Sequence, residues 1–399
     1  MTSSNVLDDI QVIDLTQALA GPYCTMLLGD MGADVIKIEQ PGSGDQSRGW
    51  GPPFVAAEST YFLSVNRNKR SLTINLKTAE GRTILHQLAA RADVLVHNTP
   101  RTSSQRDTGI DAGTLMALNA RLIYASITGY GATGPFAERP GYDMVAQAES
   151  GLMSITGEPE GDAMRFGIPL ADMTTGIYAA LGILGALLAR QRTGHGQILD
   201  LSLLESQAAY LAIPASGYLN AGQVPQRLGN THPNIVPYQI FKARDKDISV
   251  AVGTQRLWEH FCHVLGVQGT IMKDPRFCTN ADRLAHRREL IPLLQEAVGQ
   301  KDAETWLEAF RAAQIPSGPI NTVAETLNHP QLVDRSFIVE VQHPRTGRVR
   351  SLAHPVHFGN TPVSYRLPPP TLGEHTVSIL QGLGYGQNEI AALKDRGVI

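Results

Sequence analysis

The chain has 399 residues, of which 42% are hydrophobic, 18% charged and 6% aromatic, a balance that excludes a disordered or fibrous chain. Its 34 Lys and Arg against 37 Asp and Glu leave a formal charge of −3, which argues against a surface given over to nucleic acid. Cys24, Cys262 and Cys278 are too few and too scattered for a disulfide framework, so a reducing compartment, the cytoplasm, is expected.

The first residues lack the basic start and apolar stretch of a secretory signal, and the arginines of a transit peptide. Residues 10–15 (IQVIDL) predict a buried strand, 21–31 a helix entered through Gly-Pro, and 34–39 (DVIKIE) a second strand. A loop rich in Gly and Pro follows at 41–53. Strands at 71–75, 93–97 and 122–128, with a helix at 79–92, continue the alternation, which signals βαβ units and a mostly parallel sheet. Residues 174–190 read as one apolar helix, stopped at 192–196 (RTGHG) by cations and then glycine. Its charge-free run, 176–189, is too short to span a bilayer, and no membrane association is expected. A strand at 197–201 and a mostly helical stretch at 202–219 precede a segment of weak pattern. Strands at 238–241 and 248–252 and helices at 256–265, 287–298 and 303–312 then predict a smaller α+β unit.

GYGATG at 129–134 matches G-x-G-x-x-G after a strand, but Pro135 follows where a dinucleotide site needs a helix N-terminus. His260, Cys262 and His263 have no further ligand at a metal-site spacing, so no metal is expected. Neither a nucleophile elbow nor a Walker loop is present. The basic run at 67–70 (RNKR) reads equally as a solvated turn or as a partner for phosphate or carboxylate. Asp172, alone among apolar and small residues at 166–182, reads first as a helix N-cap accepting from Thr174 or Thr175. Held there by amides and helix dipole, it would also stay ionised and fixed in place, as a nucleophile should.

DLT at 14–16, LAGP at 19–22, MGADVIKIE at 31–39, PGSGD at 41–45, NRNKRS at 66–71, SITGYG at 126–131, GYD at 141–143 and Ala171-Asp172 together resemble the class III CoA-transferase family. That family includes formyl-CoA transferase, carnitine CoA-transferase and α-methylacyl-CoA racemase. WGPPFV at 50–55, ESTY at 58–61 and IVPYQ at 235–239 resemble most its succinate:hydroxymethylglutarate branch, which moves CoA from succinyl-CoA to dicarboxylic acids. The resemblance implies a Rossmann-like large α/β domain built from both ends of the chain, a smaller α+β domain, and an interlocked, ring-like homodimer. The expected division is 1–200 for the first part of the large domain, 201–224 a linker, 225–315 the small domain, 316–330 a linker, and 331–399 the return to the large domain.

The resemblance implies that Asp172 is the catalytic nucleophile, carrying an aspartyl-CoA thioester, with CoA thioesters as substrates and no permanently bound cofactor. Lys77, Asn98 and Arg106 fall where the family holds the CoA nucleotide, and Gln40 where formyl-CoA transferase places an arginine against CoA. The loop after Asn98, with Pro100 and Arg101, departs from the family pattern. Leu19, Trp50, Tyr142 and Gly253 fall in active-site segments, and Leu19 replaces a glutamine of formyl-CoA transferase. Arg48 and Arg67 are candidates to clamp the spare carboxylate of a dicarboxylic acid. Ala171 and Gly176 read as clearance for a bulky acyl-CoA. Two rivals remain: a racemase, whose histidine would fall at Tyr142, where a phenol is the weaker base, and a non-catalytic CoA-binding protein.

Overall fold

The computed structural model describes residues 5–99 and 102–399. Strand β1 (Gln11–Leu15) divides its side chains between two cores, Val12 into one and Ile13 into the other. Strands β2 (Asp34–Glu39), β4 (Val94–His97) and β5 (Ile123–Thr128) do the same, through Val35 and Ile36, Val94 and Leu95, and Ile123 and Tyr124. With β3 (Lys69–Thr73) and β6 (Ile198–Ser202) they form a parallel sheet of order β3-β2-β1-β4-β5-β6. A parallel sheet covered on both faces needs continuous apolar strands, which is why IQVIDL and DVIKIE carried the signal.

Helix α1 (Ala20–Asp30) and the 24-residue helix α6 (Leu170–Thr193) cover one face. Helix α3 (Ala79–Ala89) and two helices near the carboxyl end, Thr376–Gly382 and Gln387–Asp395, cover the other. Both ends of the chain therefore build the same unit. Helix α6 is long and apolar enough to cross a membrane by length and composition, yet half of its most apolar window is buried in the protein.

Gly176 is where α6 meets α1: a methyl group there would stand 2.6 Å from the carbonyl oxygen of Ala20. Its small size thus serves helix packing, which corrects the expectation that it clears space for acyl-CoA; Ala171 is likewise buried in the core. Gly176→Ala is expected to cost about 1–3 kcal/mol through overpacking, read as a lowered thermal midpoint. A raised KM for acyl-CoA at an unchanged midpoint would instead restore the clearance reading.

The chain divides into a large unit, 1–152, 165–222 and 333–399, and a smaller one, 153–164 and 223–332. The smaller unit has an antiparallel sheet of β7 (Tyr238–Lys242), β8 (Asp247–Ala251) and β9 (Ser317–Pro319). Phe241, Ile248 and Val250 pack from it onto Trp258, Phe261, Leu290 and Phe310 of the helices Gln255–Leu265, Arg287–Val298 and Ala303–Ala312. Three boundaries differ from expectation, the first being residues 153–164, expected within the large domain and found in the smaller unit. Residues 316–330 include β9, whose Ser-Gly-Pro composition gives no strand signal but which pairs with β8. Residues 203–208 form helix α7, whose Leu203 is buried in the large unit's core, so they are not a linker.

Candidate active site

The sheet order reverses between β1 and β4, so their carboxyl ends flank the crevice where open α/β sheets take their ligands. Asn98, just past β4, holds the loop after β1 there: its amide donates to the carbonyl of Gln17 at 2.9 Å and accepts from the Gln17 amide at 3.1 Å. Gln40 is exposed just past β2. Lys77, beyond β3, and Arg106, in the last turn of helix α4 (Thr102–Thr108), are exposed too. Arg82 of α3 ties their segments together, donating to the carbonyls of Lys77 at 3.1 Å and Asp107 at 3.4 Å. The four expected nucleotide contacts thus share the carboxyl edge of one sheet. Pro100 and Arg101 lie outside the described residues.

A buried charge network shapes the loop that carries Leu19. Asp14 accepts from Lys69 at 2.9 Å and from Thr25 at 2.6 Å, while Lys37 meets Asp45 at 2.8 Å and the carbonyl of Thr16 at 2.8 Å. Burial pulls Lys69 down to about 8 despite that partner, and Asp14 is held well below the usual carboxylate range by Lys69 and Lys37 against its own burial. Asp45 also accepts the Ala18 amide at 3.1 Å, fixing the approach to Leu19.

The GYGATG segment opens no helix; it begins a longer loop in which Gly129 meets Gly141. A methyl group on Gly129 would stand 2.6 Å from the Cα of Gly141, so only two glycines allow that approach. The closure delivers helix α5 (Asp143–Glu149) to the start of α6. There Asp143 accepts the Ala171 amide at 2.7 Å and, more weakly, that of Asp172 at 3.4 Å. Asp172 is consequently not the N-cap: it is the third residue of α6, the cap position is Pro169 without a side-chain bond, and Asp143 does the capping.

Half-buried, the Asp172 carboxylate makes no hydrogen bond or ion pair among the described residues. Burial, and then the charge of Asp143, push its pKa up to about 7. The expectation that helix dipole and amides keep it fully ionised is thereby corrected: desolvation and a like charge outweigh them. Tyr61, in helix α2 (Thr60–Val65), is pushed up to about 12 by burial and then by Asp172, Asp143 and Asp45, so its neutral phenol faces the carboxylates. Tyr61 packs edge-on against Trp50 at 4.9 Å and lies in one cluster with Leu19 and Met173. Leu19 therefore shares a cluster with Met173, the residue after Asp172, and Trp50 joins it through Tyr61. Tyr142, the residue before Asp143, is exposed; Gly253 belongs to the smaller unit, between β8 and the helix Gln255–Leu265.

The two candidate arginine clamps are spent elsewhere. Arg48 forks onto Glu39 with two bonds of 2.7 Å and stacks over Phe62 at 3.7 Å. Arg67 forks onto Asp30 at 2.9 and 2.6 Å and is buried. Lys69 meets Asp14 and Arg70 meets Asp34, so the basic run is neither a solvated turn nor a ligand site but a row of internal ion pairs. Asp143, Gln147, Tyr61 and Arg82 were not among the expected site residues; Asp143, inside the GYD motif, and Tyr61, inside ESTY, carried a sequence signal. Among the described residues no group of three His, Cys, Asp or Glu side chains could hold a metal ion.

The family model of CoA-transferase family III matches residues 7–376. Succinyl-CoA:glutarate CoA-transferase of Homo sapiens is 40% identical over 100% of this chain and 91% of its own length. Succinate–glutarate CoA-transferase of Agrobacterium fabrum is 40% identical over 94% of this chain and 95% of its own. The crystal structure of a CAIB/BAIF family protein from Brucella suis superimposes with a TM-score of 0.87 at 39% identity, covering 95% of this chain and 100% of that one. With a sheet crevice, an unpaired carboxylate at a helix start and relatives of this closeness, the chain belongs to CoA-transferase family III.

Proposed function

We propose that this CoA-transferase moves CoA from succinyl-CoA to a dicarboxylic acid, glutarate first among the acceptors, with Asp172 as nucleophile. The substrates follow from the relatives; the observation that carries the residue is a half-buried carboxylate without a partner, raised to about 7, among Tyr61, Trp50 and Leu19. The Asp172 carboxylate attacks the thioester carbonyl, CoA thiolate leaves, and a succinyl-aspartyl anhydride forms. The thiolate then attacks the aspartyl carbonyl, releasing succinate and leaving an aspartyl-CoA thioester. The acceptor carboxylate displaces the thiolate to give a second anhydride, and the thiolate returns to the acceptor's carbonyl, freeing Asp172. Every step conserves one activated acyl bond, provided water stays out.

Gln40, Lys77, Asn98 and Arg106 would hold the nucleotide along the carboxyl edge of the sheet, the cations toward its phosphates. A homodimer is part of the reading: Ile177, Leu181 and Leu188 of α6, and Ile213 and Leu219 beyond it, expose a run of large apolar side chains that a second copy would cover. Light scattering at twice the chain mass checks it. Free thiols at Cys24, Cys262 and Cys278 accord with the cytoplasm. Incubation with succinyl-CoA and a panel of acids, read by acyl-CoA mass, is expected to yield glutaryl-CoA with stoichiometric succinate. Hydrolysis to free CoA without a new acyl-CoA would overturn the reading.

A further inference from the structure

Helix α6 begins without a cap of its own, because Pro169 offers no side-chain acceptor for the amides of the first turn. Those amides are served from outside. Asp143 takes the Ala171 amide on one oxygen at 2.7 Å and, on the other, the side-chain amide of Gln147 at 2.7 Å. Gln147 in turn accepts the Phe166 amide at 2.9 Å and donates to the Ile168 carbonyl at 3.4 Å. Gln147 is 1% exposed and stands one turn along α5 from Asp143, so both side chains leave the same face of one short helix. Together they grip the chain on both sides of Pro169.

We infer that Asp143 and Gln147 form a positioning clamp for the nucleophile, fixing the segment 166–171 so that Asp172 projects from the first turn of α6 with its own carboxylate unbonded. The inference rests on the proposed nucleophilic role of Asp172. It adds a division of labour: one carboxylate satisfies the helix amides, and the other is thereby kept from them. An unbonded carboxylate beside a like charge is more basic than an ordinary one, and a more basic oxygen attacks a thioester faster. The ionisable groups that act on Asp172 or share its surroundings are Asp143 from α5 and Tyr61 from α2, Tyr61 also feeling the charge of Asp45. Tyr61 is neutral throughout the working range, so Asp143 is the neighbouring charge that adds to the effect of burial on Asp172.

Two variants separate the clamp from a merely structural contact. Asp143→Asn keeps an acceptor for the Ala171 amide while removing the charge and the acceptor for the Gln147 side-chain amide; Asp143→Ala removes all three. For wild type, succinyl-CoA-dependent labelling of Asp172 by hydroxylamine is expected to rise with pH through about 7. For Asp143→Asn the midpoint is expected to fall, while burial, the larger cause, still holds it above the ordinary carboxylate value, and the plateau is reduced less than in Asp143→Ala. Asp143→Ala is expected to lower kcat about tenfold across the whole pH range, the factor that a lost cap corresponds to, at an unchanged KM for succinyl-CoA. An unmoved midpoint in Asp143→Asn, or full kcat in Asp143→Ala, would falsify the clamp. Wild type labelled at a residue other than Asp172 would instead overturn the nucleophile assignment beneath it, so the two failures are distinguishable.

Discussion

Asp172→Ala is expected to lower CoA exchange between succinyl-CoA and glutarate by at least about four orders of magnitude, the scale on which a covalent nucleophile's removal is felt. CoA affinity should survive, because Gln40, Lys77, Asn98 and Arg106 lie on other elements at the sheet edge. Hydroxylamine should no longer trap a hydroxamate at this position. The isosteric Asp172→Asn adds a stability readout that a bystander residue would not give. Because the folded pKa stands at about 7, above the ordinary value of 3.8, the carboxylate's contribution to stability is fully present below about pH 4 and is lost as pH rises through 7. Asp172→Asn should therefore melt above wild type at pH 8, and the difference should vanish by about pH 4. A variant with residual transfer, or with a melting difference independent of pH, would place the chemistry elsewhere.

What the sequence revealed and what it withheld follow from the range of the forces involved. β1, β2 and the helix at 170–193 were legible because a buried parallel strand and a core helix each write an apolar pattern within a few residues. The short β9 was not, since its pairing with β8 lies in residues about seventy positions away. The ion pairs of Arg67 and Arg70 were hidden for the same reason: their carboxylates sit on α1 and β2, and only the folded sheet brings them together. Asp172 stood out locally as a lone acid in an apolar run, yet local rules read it as a cap. Its third-residue position and raised pKa depend on Asp143, which reaches it through a loop closed by Gly129 and Gly141. The resemblance suggested the residue's proposed role, and the structure supplied the reason its carboxylate is unbonded.

Arg67→Ala is expected to destabilise the protein rather than weaken its grip on an acceptor acid. Asp30 is 0% exposed and its partner 2% exposed, so truncation strands a buried charge that, among the described residues, keeps only the Asn68 side-chain amide, 2.8 Å away, to answer it. Breaking a buried pair from one side costs about 3–5 kcal/mol, which for a domain of this size lowers the thermal midpoint by roughly 10 °C. The Arg67 guanidinium also donates to the Leu352 carbonyl at 2.9 Å, so the hairpin of residues 338–352 loosens with it. Replacing both partners, Arg67→Met with Asp30→Leu, should recover most of the loss, because no charge is then left unpaired. Asp30 closes α1, the helix whose start carries Ala20 against Gly176 and whose leader carries Leu19, so the pair supports the site from the far end of that helix. Folded Arg67→Ala should accordingly keep its KM for glutarate. A normal melting curve with a raised glutarate KM would return Arg67 to the acceptor site.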